Sequence, residues 1–405
     1  MSGRRAGAAL LAALLALCLL PGTAAAEPAP TVEARAWTLI DARTGEVLTS
    51  HAAARSLPIA STTKLMTAYV AMHELPLDRL VKAAPYHPIY GESLLGLRSG
   101  QTVSVRDLLY GLILRSGNDA AHDLALAAAG SIPRFVGQMN RRAAALGLAD
   151  THYANPVGLD QRGNHSSARD LATLSQRLLR IPAFARIADS RSAVLRSFQP
   201  PRRIETINEL LLDAPWVTGV KTGHTFDAAY VLVGSGRRKG VDLISVAIGA
   251  PSDEARYRDN LELLEYGFRQ YRKRLPIEAG EDLADASIRY SGGELPLRAG
   301  RRVAVGLRRG QRLAVDVEAP AEVEGPVRRG AVLGHATVLV DGRTAATVAL
   351  RAGRTIPEAS AFDRLRAFVA DNAIPIALAL FVIVIAGVLL YRRLTRKTTR
   401  GSRTG

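Results

Sequence analysis

Three short strings, widely separated in the chain, restrict its fold more than any other feature: Ser61-Thr62-Thr63-Lys64, Ser116-Gly117-Asn118 and Lys221-Thr222-Gly223. Singly, each occurs by chance in many proteins. As a set, they make chemical sense only if the fold brings a helix start, a turn between helices and a strand edge to one place. Ser61 and Lys64, three residues apart, share a helix face, so the amine reaches the hydroxyl. A serine hydroxyl is a weak nucleophile without an adjacent base. Lysine serves as that base only with a lowered pKa, from burial or from a neighbouring positive charge such as Lys221. Ser61, near the helix start, also gains from the helix dipole as negative charge develops on its oxygen. Ser116 can relay a proton to a leaving amine, and the Asn118 amide can hold a substrate carbonyl or Lys64. Gly117 permits the sharp turn between them, and Asn118 or Asp119 is available as a helix cap. Lys221 and Thr222 can bind a carboxylate, and Gly223 leaves room for a substrate backbone.

The periodicities around these strings predict an α+β arrangement. Trp37–Thr49 alternates about Asp41–Gly45 as a β-hairpin. Pro58 introduces the helix carrying Ser61 and Lys64. Residues 85–105, rich in Gly, Pro and Ser, read as a loop over the site. Ser104 opens an amphipathic helix that ends at Ser116, and another helix begins at Asp119 and stops at Gly130. Further helices are expected around 133–147 and 167–179. Between Val231 and Gly249 the pattern reverts to strands with a turn at Gly236–Gly240, and a last helix spans Ser252 to Tyr271. Lys221, bounded by Val217–Val220 and Tyr230–Val233, falls on an edge strand. Strands at both ends with helices between them predict one sheet uniting the two.

Outside this region the chain changes character. Arg4 and Arg5, the apolar run Ala8–Leu20 and Ala24-Ala25-Ala26 after Pro21-Gly22 read as a secretory signal over residues 1–26. The sole cysteine, Cys18, lies inside it, so an exported chain has no thiol nucleophile and no disulfide framework. The expected catalytic domain covers residues 27–275. From Pro276 helical periodicity gives way to short alternating runs separated by Gly, which predicts a small all-β sandwich over 276–358. A juxtamembrane segment, 359–373, leads to Ile374–Tyr391, which carries no charge and reaches about 27 Å at 1.5 Å per residue, enough for a transmembrane helix. The basic tail, 392–405, predicts a cytoplasmic C-terminus.

The ordered strings and the stretches IASTTKLMTAYV, VSVRDLLYGLILRSGNDAA, YANPVGLD, VTGVKTGHT and LLEYGFR run from about Trp37 to Tyr271. They resemble the D-alanyl-D-alanine carboxypeptidases, low-molecular-mass penicillin-binding proteins of the SxxK serine-peptidase family. The resemblance implies a β-lactamase/transpeptidase-like catalytic domain, a β-rich stalk and no cofactor. It implies removal of the terminal D-alanine from peptidoglycan stem peptides through an acyl-serine intermediate, with β-lactams as covalent inhibitors, on the outer face of a bacterial cytoplasmic membrane. Ser61, Lys64 and Ser116 are the implied catalytic residues. Asn118, Lys221, Thr222, Gly223, His224, Thr225 and either Arg256 or Arg258 are the implied substrate contacts, and the backbone N–H groups of Ser61 and His224 the oxyanion donors. Two departures stand out: Thr218 replaces an Asp frequent before the third string, and Ile374–Tyr391 is apolar enough to span where many relatives carry an amphipathic surface helix.

Other classes fit less well. The formal charge is +16, and eight of those charges sit at the two chain ends. The remaining arginines are scattered and aromatics are only 5%, which is not a nucleic-acid footprint but suits an anionic cell envelope. The histidines, at 51, 73, 87, 122, 152, 165, 224 and 335, lack metal-ligand spacing. Class A β-lactamases use a glutamate between the second and third strings to activate water. Here none occurs from Asp119 to Arg203, the next being Glu205, so a long-lived acyl-enzyme is expected. Cleavage of peptidoglycan cross-links stays open, because the strings do not specify the leaving group. A penicillin-recognising sensor would need a signalling domain, which the tail 392–405 is too short to hold. Nothing in the sequence indicates an oligomeric state.

Overall fold

The computed structural model describes residues 29–290 and 292–398; the expected signal segment, 1–26, and residues 399–405 of the tail lie outside them. The chain divides into two compact units, one ending at Arg272 and one beginning at Lys273.

The first unit opens on an antiparallel hairpin, β1 (Ala36–Asp41) and β2 (Val47–His51). A 3-10 turn, Ala60–Thr63, runs straight into α1 (Lys64–Glu74). A ribbon of β3 (Leu80–Lys82) and β4 (Thr102–Ser104) frames the intervening loop. Five helices follow: α2 (Val105–Leu114), α3 (Asn118–Ala129), α4 (Ile132–Ala145), α5 (Ala168–Leu179) and α6 (Pro182–Ala188). After the ribbon β5 (Ser192–Leu195) and β6 (Arg202–Glu205) and the short α7 (Glu209–Asp213), the chain forms an antiparallel meander. Its strands are β7 (Val217–Thr225), β8 (Ala229–Arg238) and β9 (Val241–Ala250), and α8 (Asp253–Arg269) ends the unit.

These strands make one five-stranded sheet in the order β2-β1-β9-β8-β7, so the first and last strands of the unit pair and β7 is an edge. Alternation along the central strands sorts their side chains onto two buried faces. Val231, Val233, Ile244, Val246 and Ile248 join the helical core with residues of α1 to α6. Leu39, Leu232 and Leu243 pack on the other face with Leu263, Leu264 and Phe268 of α8. Serines start four of the helices: Ser104, Ser131, Ser167 and Ser252 each accept a backbone N–H three residues on. Gly130, with φ 74°, ends α3 in the left-handed conformation.

Three local expectations change. The helix expected to run through Ser61 begins at Lys64, and Ser61 sits on the tighter 3-10 turn before it. The loop expected over 85–105 stops at Thr102, where β4 begins. Neither Asn118 nor Asp119 caps α3, whose N-cap position is Gly117. The Asp119 carboxylate instead accepts the backbone N–H groups of Leu95, Gly96 and Leu97, at 2.7, 2.7 and 2.9 Å, tying the loop to the helix.

The second unit is rich in strands: β10 (Arg272–Ile277), β11 (Asp282–Ile288), β12 (Glu294–Ala299), β13 (Val303–Leu307), β14 (Leu313–Glu318), β15 (Glu322–Val323), β16 (Val332–Val340) and β17 (Arg343–Ala352). Six form a sheet ordered β14-β16-β17-β12-β11-β15, and β10 pairs with β13. Ile277 and Val303 share a core with Leu295, Leu297, Val338 and Leu350. Helix α9 (Ala361–Asp371) starts in a Ser360–Asp363 capping box. It precedes α10 (Ala373–Thr398), of which Ala373–Arg392 is long and apolar enough to cross a membrane and is wholly unburied.

Candidate active site

Ser61 occupies a turn with a left-handed residue in it, closely packed on two sides. Its predecessor Ala60 has φ 47°, a left-handed conformation that costs about 1–3 kcal/mol in a residue with a Cβ. Gly158, at φ 87°, presses against that turn so closely that a Cβ there would lie 2.1 Å from the Ala60 carbonyl oxygen. On the strand side, a Cβ at Gly223 would lie 3.0 Å from the Ser61 nitrogen. The glycine of the third string therefore makes room for the Ser61 turn itself, a use of the missing side chain beyond the room for a substrate backbone expected from sequence.

The Lys64 side chain is fully buried, and its Nζ donates to Ser61 Oγ at 2.9 Å and to the Val157 carbonyl. Burial lowers its pKa to about 7, against the opposing pull of Glu92 and Asp119. Burial, then, brings the amine into the neutral range, whereas the sequence had also offered Lys221 as a cause. The influence of that pair appears on Lys221, which is driven well below the usual lysine range by its own burial first, then by Lys64 and Arg256.

Lys221 Nζ donates to Ser116 Oγ at 2.9 Å and to the Thr222 carbonyl at 2.7 Å, which joins the second and third strings directly. Ser116 makes the turn between α2 and α3: its φ is 57°, whereas Gly117 is extended at −60°. Gly117 is needed for space instead, since a Cβ would lie 2.9 Å from the Leu95 nitrogen. Asn118 is buried at the start of α3 and its Nδ2 donates to Glu92 at 2.6 Å.

The remaining expected contacts separate. Thr222 is buried beside Lys221, and His224 is exposed, stacked on Tyr230 at 4.2 Å between ring centroids. Thr225 Oγ1 donates to Asp160 at 2.6 Å. Arg256 is buried, donates to the Gly223 carbonyl at 3.1 Å and to the Tyr257 hydroxyl at 3.0 Å, and pairs with Asp253. Arg258 points elsewhere: it is exposed and pairs with Glu33 at 2.6 Å. Two residues on a helix differ by about 200°, so only one of the two can face β7. Thr218, the departure noted before the third string, bonds Ser235 across the sheet at 2.8 Å.

Sequence reasoning missed the groups that brace these strings. The segment 154–160 supplies the Val157 carbonyl to Lys64, Gly158 to the Ser61 turn and Asp160 to Thr225 and to the Asp227 N–H. Its signal was the stretch YANPVGLD, noticed only as part of a resemblance. Glu92 carried no signal beyond being the one carboxylate in a Gly- and Ser-rich loop. Among the described residues, no cluster of His, Cys, Asp or Glu is arranged to hold a metal.

Known proteins resemble this chain over most of its length. A family model described as D-alanyl-D-alanine carboxypeptidase matches residues 23–252, more than half the chain. The chain is 33% identical over 359 residues to the Escherichia coli D-alanyl-D-alanine carboxypeptidase DacC, covering 84% of this chain and 88% of that one. It is 36% identical over 219 residues to DacB2 of Mycobacterium tuberculosis, covering 54% and 75%. Among solved structures it resembles penicillin-binding protein 5 of Haemophilus influenzae, with a TM-score of 0.57, 28% identity and coverage of 82% and 99%. It also resembles penicillin-binding protein 6B of Escherichia coli, with a TM-score of 0.58, 30% identity and coverage of 80% and 97%. Its three strings, mixed α/β fold and matched length together make this chain a member of the D-alanyl-D-alanine carboxypeptidase family of serine peptidases.

Proposed function

We propose that the chain removes the terminal D-alanine from peptidoglycan stem peptides, with Ser61 as nucleophile and Lys64 as its base. The observation that carries this reading is the buried Lys64 amine, 2.9 Å from Ser61 Oγ and with a pKa of about 7. In its neutral form the amine accepts the Ser61 proton through its lone pair while an N–H stays on the Val157 carbonyl. Ser61 Oγ attacks the carbonyl of the penultimate D-alanine, and the backbone N–H groups of Ser61 and His224 stabilise the oxyanion. As the peptide C–N bond breaks, the proton that Lys64 took from Ser61 passes by way of Ser116, bonded to Lys221, to the departing amine of D-alanine, which leaves Lys64 neutral again. Lys64 then activates the water that cleaves the ester and regenerates Ser61. Lys221, Thr222 and Thr225 are suited to the terminal carboxylate. Arg256, which reaches the Gly223 carbonyl from α8, adds positive potential there. Arg258 has no part in this reading.

The first unit is the catalytic domain in this proposal, and the strand-rich unit is a stalk. Helix α10 anchors both to a cytoplasmic membrane, with the first unit outside. The same attack on a β-lactam carbonyl leaves its amine leaving group tethered, which accounts for a lasting acyl-enzyme.

The full chain in detergent and its Ser61→Ala variant test the reading, with a fluorescent penicillin and a D-Ala-D-Ala stem peptide. Labelling and D-alanine release by the wild type alone are expected. Labelling without release of D-alanine would refute the carboxypeptidase, and labelling of the Ser61→Ala chain would refute the nucleophile.

A further inference from the structure

The loop between β3 and β4 brings to the second string a carboxylate that none of the three strings contains. Glu92 Oε2 accepts from Asn118 Nδ2 at 2.6 Å and from the Tyr86 hydroxyl at 2.5 Å, while Oε1 accepts the Ile89 N–H at 2.8 Å. A second set of bonds holds the same loop on α3. Asn118 N donates to the Ser93 carbonyl at 2.8 Å, and Asp119 accepts the N–H groups of Leu95 to Leu97. The carboxylate is thus fixed in the loop and the loop is fixed on the helix that carries Asn118.

A side-chain amide has two N–H donors and one oxygen, and either end can face a neighbouring group that both donates and accepts. An ionised carboxylate only accepts, so it admits the NH2 end and excludes the oxygen. We infer that Glu92 is a positioning residue of this active site: it locks the Asn118 amide in one orientation and leaves the second Nδ2 hydrogen for the acyl carbonyl of the substrate. This rests on the carboxypeptidase reading and adds to it a residue that lies outside the three strings.

The electrostatics agree. Burial alone would raise the Glu92 pKa, but the hydrogen bonds from Tyr86, Asn118 and Ile89 outweigh it and hold the group below the usual carboxylate range. Burial and Glu92 push the Tyr86 phenol above its ordinary value, so it stays a donor. A carboxylate so well supplied with donors is a poor proton acceptor, which makes Glu92 an orienting group and not a base for deacylating water. Its charge reaches Lys64 as well. That amine is faced by Glu92 and Asp119, which favour its protonated form, by the Lys221 amine, whose own pKa burial and Lys64 lower, and by the neutral Ser61 hydroxyl and Val157 carbonyl. Removing the Glu92 charge therefore makes the neutral amine available at lower pH.

The test compares wild type, Glu92→Gln, Glu92→Ala and Ser61→Ala as full chains in detergent. It measures the acylation rate with a fluorescent penicillin from pH 5 to 9, kcat and KM for a D-Ala-D-Ala peptide, and thermal unfolding. Glu92→Ala is expected to acylate about 10- to 100-fold more slowly, through kcat more than KM. Glu92→Gln, whose oxygen can still accept from Asn118 but whose NH2 no longer excludes the flipped amide, should recover only part of that loss above pH 8, with its acid limb moved to lower pH. Wild-type rates in a folded Glu92→Ala chain would overturn the inference, as would an acid limb unmoved in Glu92→Gln. Equal losses in both variants with an unchanged pH profile would mean a structural role only and would overturn it too. A wild type not labelled at Ser61 overturns the carboxypeptidase reading and this inference together, whereas a labelled wild type with indifferent Glu92 variants overturns this inference alone.

Discussion

At the Lys64 amine, burial and charge act in opposite directions: burial lowers its pKa to about 7 and two carboxylates hold it up. Only the neutral amine can take the Ser61 proton. Acylation by a fluorescent penicillin should therefore be full at pH 8 and above, and decline below pH ~7 by about tenfold per pH unit, following the neutral fraction. A Lys64→Arg chain carries a guanidinium that does not deprotonate, so it should lose about 10²–10⁴-fold in rate and show no such limb. A wild-type profile flat from pH 5 to 8 would remove Lys64 from the role of base. This dependence was legible in part. The i, i+3 spacing of Ser61 and Lys64 is visible in sequence, but the completeness of burial is not, because it comes from segment 154–160 folding over the amine. The difference between Arg256 and Arg258 is readable in the pattern of α8. The buried stripe of α8, Leu263, Leu264, Gly267 and Phe268, extends back through Asp259 and Asn260 to Arg256, and it passes Arg258 by.

The element that sets the Ser61 geometry is a turn, and turns are where sequence reading was weakest. Helices and strands announced themselves by period and by serine caps, so the sheet joining β1 to β9 followed from pattern alone. The positive φ angles at Ala60 and Ser116 had no such signal, because each belongs to a residue type that ordinarily avoids that region. Gly158 exposes the difference between strain and obstruction. Gly158→Ala and Gly130→Ala both place a Cβ on a left-handed residue, at φ 87° and 74°. At Gly130 nothing lies within 4 Å, so only the backbone cost is felt, about 1 kcal/mol. At Gly158 the new Cβ meets the Ala60 carbonyl, and the Ser61 turn must move. Thermal unfolding and penicillin acylation separate the two effects. Gly130→Ala should unfold a few degrees early with wild-type acylation, whereas Gly158→Ala should lose about 100-fold in acylation as well. Equal acylation in the two variants would mean that segment 154–160 does not hold the nucleophile in place.

For the molecule as a whole, the arrangement across a membrane follows from charge at the ends of α10. Arg392, Arg393, Arg396, Lys397, Arg400 and Arg403 follow the apolar stretch, whereas α9 before it offers Arg364 and Arg366 beside Asp363 and Asp371. Excess Lys and Arg favours the cytoplasmic side, so the tail should face inward, and the first unit and the strands of the second outward. Cysteine usage makes this measurable, because Cys18 is the only thiol and falls within the segment expected to be removed on export. In intact spheroplasts, a membrane-impermeant maleimide should label a Ser50→Cys chain, whose new thiol lies on an exposed strand of the first unit. A Ser402→Cys chain should react only after permeabilisation, and the wild type under neither condition. Labelling of Ser402→Cys before permeabilisation would place the tail outside and dismiss the span. A reactive wild type would mean that Cys18 stays on the mature chain, which would then carry a second apolar anchor at its other end. The two outcomes are independent, since the orientation of α10 depends on its own flanking charges and retention of Cys18 on cleavage near Ala26. Together they decide whether the chain is tethered to the membrane at one end or at both.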